Sequence, residues 1–142
     1  MTRFMQLKIM LRRHEGVRSH VYKCSNGFET IGVGRNISES GIGLTDGEID
    51  QMLMNDIFRV IGELSEEYEW FNNLDDVRRD AMIDISFNLG QTVLRKFTNA
   101  LKAMEQKDYH LAADEFMKSR WASQVGKRAE ELTKMIRFGK YQ

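Results

Sequence analysis

The distribution of glycine constrains the fold of this chain more than any other feature of its sequence. Six of the eleven glycines lie between residues 25 and 50, and the chain contains no proline. Because glycine marks turns and interrupts regular structure, this segment predicts a short sheet region, and the remainder predicts an all-helical body. A chain of 142 residues is long enough for one domain with a hydrophobic core and too short for two independent domains. The six glycines are Gly27, Gly32, Gly34, Gly41, Gly43 and Gly47.

Two alternating stretches in the glycine-rich segment predict a β-hairpin. Polar and apolar residues alternate at 20–24 and again at 28–33, and the Asn26-Gly27 pair between them is a strong hairpin-turn signal. A third short strand is expected at 42–44. Because so small a sheet is not stable alone, we expect the strands to pack against helices.

Capping signals and periodicity place the helices. The first helix is expected over residues 3–14, with Thr2 able to cap its start and Gly16 to end it. Thr45 and Glu48 form a capping-box pattern that predicts a long second helix to about residue 64. Four more helices are predicted, at 75–89, 97–105, 108–118 and 127–138. In the first of these four, apolar residues recur at every fourth position, as on one buried helix face. They are Val77, Ala81, Ile85 and Leu89.

Composition argues against several classes of protein. Lysine plus arginine and aspartate plus glutamate both number 21, so the chain lacks the basic excess expected of a nucleic-acid-binding protein. Its one cysteine, Cys24, cannot form an intramolecular disulfide. Residues 1–11 predict an amphipathic helix rather than a signal peptide, and no stretch approaches the roughly 20 apolar residues of a membrane span. We therefore expect a chain made in the cytosol, without membrane insertion.

Glu15 is the first candidate for chemistry. It lies at the C-terminal end of the first predicted helix, where the helix dipole disfavours a negative charge. A carboxyl group in this position suits a general acid. A surface glutamate that tolerates its position is the alternative interpretation of this residue taken alone.

The surroundings of Glu15 resemble the active-site region of T-even-type phage lysozymes, glycoside hydrolase family 24. That family has a catalytic Glu at the end of its first helix, an Asp (occasionally Cys) nine positions later and a Thr six positions beyond that. Cys24 and Thr30 reproduce this spacing here. The resemblance extends over essentially the whole chain, including Asp76-Val77-Arg78-Arg79, Phe87-Asn88-Leu89-Gly90, Phe97-Thr98-Asn99-Ala100-Leu101 and Lys118-Ser119-Arg120-Trp121.

The resemblance implies an α+β, mainly α fold in which a small antiparallel sheet lobe is joined by a long helix to a helical lobe. Residues 1–142 would form one lysozyme domain, with the sheet lobe at about 15–60 and the helical lobe at about 61–142 plus the N-terminal helix 2–14. The implied activity is that of an endolysin, a muramidase that hydrolyses peptidoglycan and causes host cell lysis, without metal or cofactor. The implied protein is a monomer that waits in the host cytoplasm for a holin-type pore and then reaches the periplasmic cell wall.

The resemblance also implies roles for individual residues. Glu15 would protonate the glycosidic oxygen, and Thr30 would position water or contact the sugar. Arg128 would hold the Glu15 carboxyl in place. Sugar-binding candidates would line a cleft, although Phe87 and Ala100 could equally be helix-packing residues and Gln124 could be structural. These candidates are Asn36, Phe87, Asn88, Ala100, Glu115 and Gln124. Arg35 stands where the family usually has a His in a structural ion pair, and it could form such a pair.

Cys24 is the sharpest departure from the family pattern, and it leaves three roles open. A thiol with its usual pKa of about 8.5 is mostly neutral at pH 7, unlike Asp. Cys24 could act as a nucleophile, as a weak base, or as a spectator. A lytic transglycosylase that uses Glu15 alone is therefore one alternative to hydrolysis. A peptidoglycan-binding protein whose catalysis has lapsed is the alternative from another functional class.

Overall fold

The structure, a computed structural model, describes residues 3–142 and has an α+β, mainly α architecture. The chain divides into two compact units, unit 1 at Met1–Gln51 and unit 2 at Met52–Gln142. The division lies before the predicted lobe boundary near residue 60 and leaves the first helix in unit 1. One domain with lobes at 15–60 and 61–142 stays a prediction.

Unit 1 begins with helix α1 (Met5–Glu15), which ends at Gly16 as predicted. Gly16 has a φ of +79° and donates its N–H to the carbonyl of Arg12. Phe4 occupies the N-cap position without a side-chain hydrogen bond. The expected capping by Thr2 lies outside the described residues.

Three antiparallel strands follow in the order β1 (Arg18–Lys23), β2 (Glu29–Gly32) and β3 (Arg35–Asn36). The hairpin predicted at Asn26-Gly27 is confirmed, with Gly27 at a φ of +82°. Two backbone hydrogen bonds close the hairpin loop. The N–H of Cys24 donates to the carbonyl of Phe28 at 3.0 Å, and the N–H of Gly27 donates to the carbonyl of Cys24 at 2.8 Å. These two hydrogen bonds fix the position of Cys24 at the mouth of the loop.

The third strand lies earlier than predicted. Residues 42–44 form no strand, and β3 instead pairs Ile31 with Arg35 and Thr30 with Asn36. The reason is a tight turn at Val33 and Gly34, in which the left-handed φ of +69° at Gly34 returns the chain directly onto β2.

Helix α2 (Asp46–Glu67) starts at the predicted capping box. The N–H of Thr45 donates to Glu48 Oε1 at 2.9 Å, and the N–H of Glu48 donates to Thr45 Oγ1 at 3.2 Å. This reciprocal pair satisfies two backbone donors that the first turn of a helix leaves open. The boundary between the two units falls within α2.

Unit 2 contains the remaining helices. A 3-10 helix (Glu69–Asn73) follows α2, and α3 (Asp76–Leu89) is capped by the Asp75 side chain and ended by Gly90. The helices predicted at 97–105, 108–118 and 127–138 are confirmed to within about two residues, whereas the 3-10 helix, α4 and α7 were not predicted. The last five helices are α4 (Gln91–Leu94), α5 (Thr98–Glu105), α6 (Tyr109–Met117), α7 (Arg120–Val125) and α8 (Lys127–Phe138).

The hydrophobic core of the described residues lies entirely within unit 2. The predicted buried face of α3 is confirmed, since Ala81 and Ile85 are fully buried and Val77 and Leu89 pack partly buried against the core. Within residues 3–142, no helix combines the length and apolar character needed to cross a membrane.

Candidate active site

Glu15 is the last residue of α1, and its side chain is exposed. Its carboxyl lies against the β2–β3 turn: a Cβ added at Gly34 would be 2.8 Å from Glu15 Oε2. Glycine at this position therefore allows the carboxyl to lie directly against the backbone of the turn. Neither the place of Glu15 at the helix end nor its spacing to Cys24 and Thr30 indicated this contact with Gly34.

Cys24 lies in unit 1 at the end of β1, partly exposed at the mouth of the hairpin loop. The pKa of its thiol is lowered from the ordinary value, first by a hydrogen bond with the backbone of Asn26 and next by one with the backbone of Phe28. A contribution from the Thr30 hydroxyl also lowers it, against an opposing effect of burial. The loop thus favours the thiolate, which is the reactive form of cysteine.

Thr30 is buried at 3% exposure, and it is the only buried residue in the range 3–51. Its hydroxyl donates to the carbonyl of Phe28 at 2.8 Å and lies within hydrogen-bonding reach of the Cys24 thiol. The structure therefore brings together two of the three predicted catalytic residues. Their contact spans the hairpin loop, and its position follows from the β1–β2 pairing of Tyr22 with Thr30.

Asn36 is paired with Thr30 in the β2–β3 register. Its side-chain oxygen accepts hydrogen bonds from the backbone N–H of Ser38 at 3.0 Å and from the Ser38 hydroxyl at 2.6 Å. The amide therefore has a local role in turning the chain after β3. Its NH₂ group is the part left for a ligand, and its predicted contact with sugar stays a prediction.

Arg35 forms the ion pair that the sequence suggested, and its partner is Glu48 at 2.8 Å. The same guanidinium donates to the carbonyl of Gly43 at 3.0 Å. The hydrogen bond from Arg35, followed by the backbone hydrogen bond from Thr45, lowers the pKa of Glu48 to about 2. This pair connects β3 to the capping box of α2 within unit 1.

In unit 2, Phe87 and Arg128 line the same cavity of about 450 Å³. Arg128 donates two hydrogen bonds to one oxygen of Asp84, at 2.6 and 2.9 Å. Asp84 was not among the predicted site residues. The two residues are 44 positions apart, so no local pattern pointed to the pair. The predicted contact of Arg128 with Glu15 stays a prediction.

Asn88 and Trp121 are joined by a hydrogen bond from the indole Nε1 to the Asn88 side-chain oxygen at 2.7 Å. Trp121 is 5% exposed, while Asn88 is exposed on α3. The buried indole thereby fixes the orientation of an exposed amide, whose NH₂ group remains available. This arrangement is compatible with the predicted role of Asn88 in binding sugar.

Ala100 and Glu115 line another cavity of unit 2, of about 320 Å³. Ala100 is 2% exposed and packs into the core, as the alternative interpretation of this residue proposed. Glu115 is held by Lys118 at 3.1 Å. Gln124 lies exposed on α7, in neither of these cavities.

Two groups of residues near the predicted positions were missed by the sequence analysis. Asp84 adds a carboxylate beside Arg128, and Lys96 and Asn99 add polar groups to the cavity of Ala100. Lys96 directly precedes the Phe97-Thr98-Asn99-Ala100-Leu101 motif and Asn99 lies within it, so the motif itself was the available signal. Within the described part of the chain, no cluster of three or more His, Cys, Asp or Glu residues could hold a metal ion.

Comparison with known proteins gives a consistent family assignment. A family model described as Phage lysozyme matches residues 12–137. The chain is 27% identical over 160 residues to a protein of Dictyostelium discoideum named Probable T4-type lysozyme 2, with 94% of each chain covered. It is 31% identical over 122 residues to an Endolysin of Acyrthosiphon pisum secondary endosymbiont phage 1, with 84% of this chain and 81% of the relative covered.

Proposed function

The chain belongs to the phage lysozyme family, and from that premise we propose that it is an endolysin. It hydrolyses the β-1,4 bond between N-acetylmuramic acid and N-acetylglucosamine in bacterial peptidoglycan. The observation that carries the proposal is the arrangement of unit 1. An exposed Glu15 lies against the side-chain-free Gly34, in the same unit as Cys24, whose thiol pKa is lowered mainly by hydrogen bonds with the backbone of Asn26 and Phe28.

Glu15 is the general acid of this proposal. It donates its proton to the glycosidic oxygen while the bond from that oxygen to C1 of N-acetylmuramic acid breaks, so the leaving sugar departs as a neutral alcohol. The contact with Gly34 restricts where the carboxyl can lie. Because the proton donor is already positioned, less conformational entropy is lost when the proton is transferred.

Cys24 is the base that completes the reaction. A water molecule attacks C1 and gives its proton to the Cys24 thiolate, so one O–H bond breaks as one C–O and one S–H bond form. Solvent then removes the proton from the thiol and reprotonates Glu15, which restores both groups. Thr30 supports this step through its hydroxyl, which donates to the carbonyl of Phe28 and lies within hydrogen-bonding reach of the Cys24 thiol.

The sugar-binding residues of the proposal provide amide, aromatic and carboxylate groups. Phe87 is 43% exposed and lines its cavity with Arg128, so its ring is accessible to the apolar face of a sugar. Arg128 acts as a supporting residue and is oriented by Asp84. The other binding residues are Asn36, Asn88, Glu115 and Gln124, and the buried Ala100 lines the same cavity as Glu115.

The biological role that we propose is host cell lysis. The endolysin is a monomer that stays in the host cytoplasm after synthesis, reaches the periplasmic wall through a holin-type pore, and requires no cofactor. Elution of the purified chain as one 16.6 kDa species would support the monomer, and a dimer would contradict it.

Product analysis of digested peptidoglycan tests the reaction. Purified sacculi are incubated with the chain, and the released fragments are analysed by mass spectrometry before and after borohydride reduction. Hydrolysis yields fragments with reducible N-acetylmuramic acid ends. Fragments ending in 1,6-anhydro-muramic acid would instead identify a lytic transglycosylase, which needs no base to activate water.

Turbidity clearing separates catalysis from binding alone. Suspensions of outer-membrane-permeabilised cells lose turbidity if the chain cleaves the wall. A chain that is retained on sacculi but neither clears the suspension nor releases fragments would be a binding protein with lapsed catalysis. That result would overturn the proposal.

A further inference from the structure

A cavity of about 350 Å³ lies in unit 2 between the 3-10 helix and the turn that joins α5 to α6. None of the residues assigned to the proposed reaction lines it. Its volume falls in the range of small-molecule sites in proteins. The chemical groups that line the cavity, rather than its volume, indicate the class of ligand that it can bind.

Aromatic side chains form one part of the lining. Trp70 is partly exposed into the cavity, and its indole contacts the Tyr68 ring, with centroids 5.3 Å apart and planes tilted by 36°. Tyr109 is fixed by the Arg78 guanidinium, whose carbon lies 3.9 Å from the ring centroid. Both aromatic rings are therefore held in place before any ligand binds, which lowers the entropy cost of binding.

Four polar side chains form another part of the lining. Glu69, Asn73, Glu105 and Lys107 line the cavity, and within residues 3–142 none of the four side chains makes a hydrogen bond or an ion pair. Some other charged side chains of unit 2 form ion pairs, as in Arg95–Glu67 and Arg137–Asp114. The polar groups around Trp70 are thus available to an external ligand.

Lys107 also has an unusual backbone conformation. Its φ of +60° makes it the one non-glycine residue within 3–142 in the left-handed region. Two backbone hydrogen bonds close the turn at this position. The N–H of Lys107 donates to the carbonyl of Met104 at 3.1 Å, and the N–H of Asp108 donates to the carbonyl of Ala103 at 2.9 Å. Glycine is the favoured residue at this position of a helix end. Position 107 therefore carries a lysine side chain in a backbone conformation that favours a residue without a side chain. Residues held in such unfavourable conformations are frequent at functional sites.

We propose that this cavity is a second carbohydrate site that binds an N-acetylated sugar of the glycan strand and retains the protein on its substrate. The Trp70 ring stacks on the apolar face of the sugar, carboxylates accept hydrogen bonds from hydroxyl groups, and Lys107 donates to the acetamide oxygen. Asn73 can do both. The presence of Lys107 among the carboxylates disfavours an ammonium ligand. The inference relies on the proposed function only for the choice of a wall sugar as ligand.

Indole signals provide a direct test of binding. The chain has two tryptophans, so its ¹H–¹⁵N spectrum contains two indole N–H signals, and the one lost in Trp70→Phe belongs to Trp70. Titration with the uncharged tetramer of N-acetylglucosamine is expected to shift the Trp70 signal in a saturable manner. An unchanged Trp70 signal at saturation of the other tryptophan would overturn the proposal. A shift with free lysine but not with the tetramer would also overturn it.

Retention on purified sacculi tests the contribution of the side chains. Trp70→Ala is expected to weaken retention by about tenfold, as for loss of one aromatic anchor, and Trp70→Phe to restore most of it. Phe58→Ala removes a more exposed aromatic ring outside this cavity and should bind as the parent does. Equal weakening in Phe58→Ala would mean that retention reflects general hydrophobicity and would contradict the proposal.

Lys107→Gly separates binding from folding. The substitution relieves the left-handed backbone, so the melting temperature should stay the same or rise, while retention on sacculi falls by a few-fold. Weaker retention together with a lower melting temperature in every variant would assign these residues a structural role.

A chain whose Trp70 signal responds to the tetramer but that releases no fragments would disprove the proposed reaction alone. A chain that hydrolyses the wall without any response of Trp70 would disprove this second site alone.

Discussion

The two units of this protein differ in how they are stabilised and in what they contribute. In unit 1, Thr30 is the only buried residue of the range 3–51, and the positions of side chains depend on a hairpin loop, a glycine turn, a capping box and one ion pair. Unit 2 holds the whole hydrophobic core of the described residues. The residues proposed to do the chemistry lie in the unit that lacks a core. A small sheet region held mainly by local interactions can thus carry precise geometry, at the expense of local stability.

Glu15→Gln is the sharpest test of that division, because it removes chemistry from unit 1 without removing packing. We expect turbidity clearing to fall by about 10²–10⁴-fold, the usual contribution of an acid or base. The free energy of unfolding should stay within about 0.5 kcal/mol of the parent, as for other surface substitutions. Glu39→Gln, an exposed acid of the same unit, is the matched control and should retain full activity. Full clearing by Glu15→Gln would remove the general acid from the mechanism.

Ile85→Ala tests where the stability resides. Ile85 is fully buried in unit 2, and its truncation should lower the free energy of unfolding by about 2–5 kcal/mol through lost burial and a cavity. Val21→Ala in β1 removes methyl groups that are 53% exposed, and it should cost no more than about 0.5 kcal/mol. Urea denaturation followed by circular dichroism measures both values. Equal losses would show that unit 1 is stabilised by packing as strongly as unit 2.

Cys24→Ala tests how the reaction is completed. We expect clearing to fall by about tenfold or more, as for loss of a base, and Cys24→Asp to remain active. Because the pKa of the Cys24 thiol is lowered, the activity of the parent should rise with pH through a value below the ordinary pKa of a cysteine. In Cys24→Asp this rise should move to more acidic pH, since a carboxyl ionises there.

Alkylation provides the control for this cysteine. A small reagent such as iodoacetamide should inactivate the parent, which has no other cysteine, and leave Cys24→Asp unaffected. Ser25→Ala in the same loop should behave as the parent. If verified modification of Cys24 left the rate unchanged, the thiol would be a spectator.

Glu48→Gln is expected to have the smallest effect and reports on unit 1 alone. The folded-state pKa of Glu48 is about 2, below the ordinary 4.5, so its ion pair with Arg35 stabilises the folded chain above about pH 4.5. This contribution is lost progressively as the pH falls from 4.5 toward 2. The parent should therefore have the higher melting temperature at pH 7, and the difference from the variant should narrow as the pH falls from 4.5 toward 2. A constant difference across this range would contradict the ion pair as its cause.

Local signals in the sequence predicted the parts of the fold that local interactions determine. The capping box of Thr45 and Glu48 was predicted residue by residue, because both hydrogen bonds lie within one helical turn. The end of α1 at Gly16 and the end of α3 at residue 89 were predicted for the same reason. The third strand was not, because the tight turn at Gly34 pairs the chain with β2 before residues 42–44 are reached.

Interactions between distant positions were beyond the sequence signals. The ion pair of Arg35 was expected but not its partner, which lies 13 positions away. Asp84 was missed altogether, since its contact with Arg128 depends on how α3 and α8 pack. The short 3-10 helix, α4 and α7 have too few residues for a periodic pattern and form only through tertiary packing.

The contact between Gly34 and Glu15 has a consequence for how this protein can vary. The atoms nearest to a side chain at position 34 would be those of the Glu15 side chain, so such a side chain would displace the carboxyl. Two selections applied to one library of variants should therefore disagree at this position. Selection for soluble expression should admit small residues with a modest penalty from the left-handed backbone. Selection for lysis should return only glycine at position 34. Active variants should therefore retain Gly34 together with Glu15.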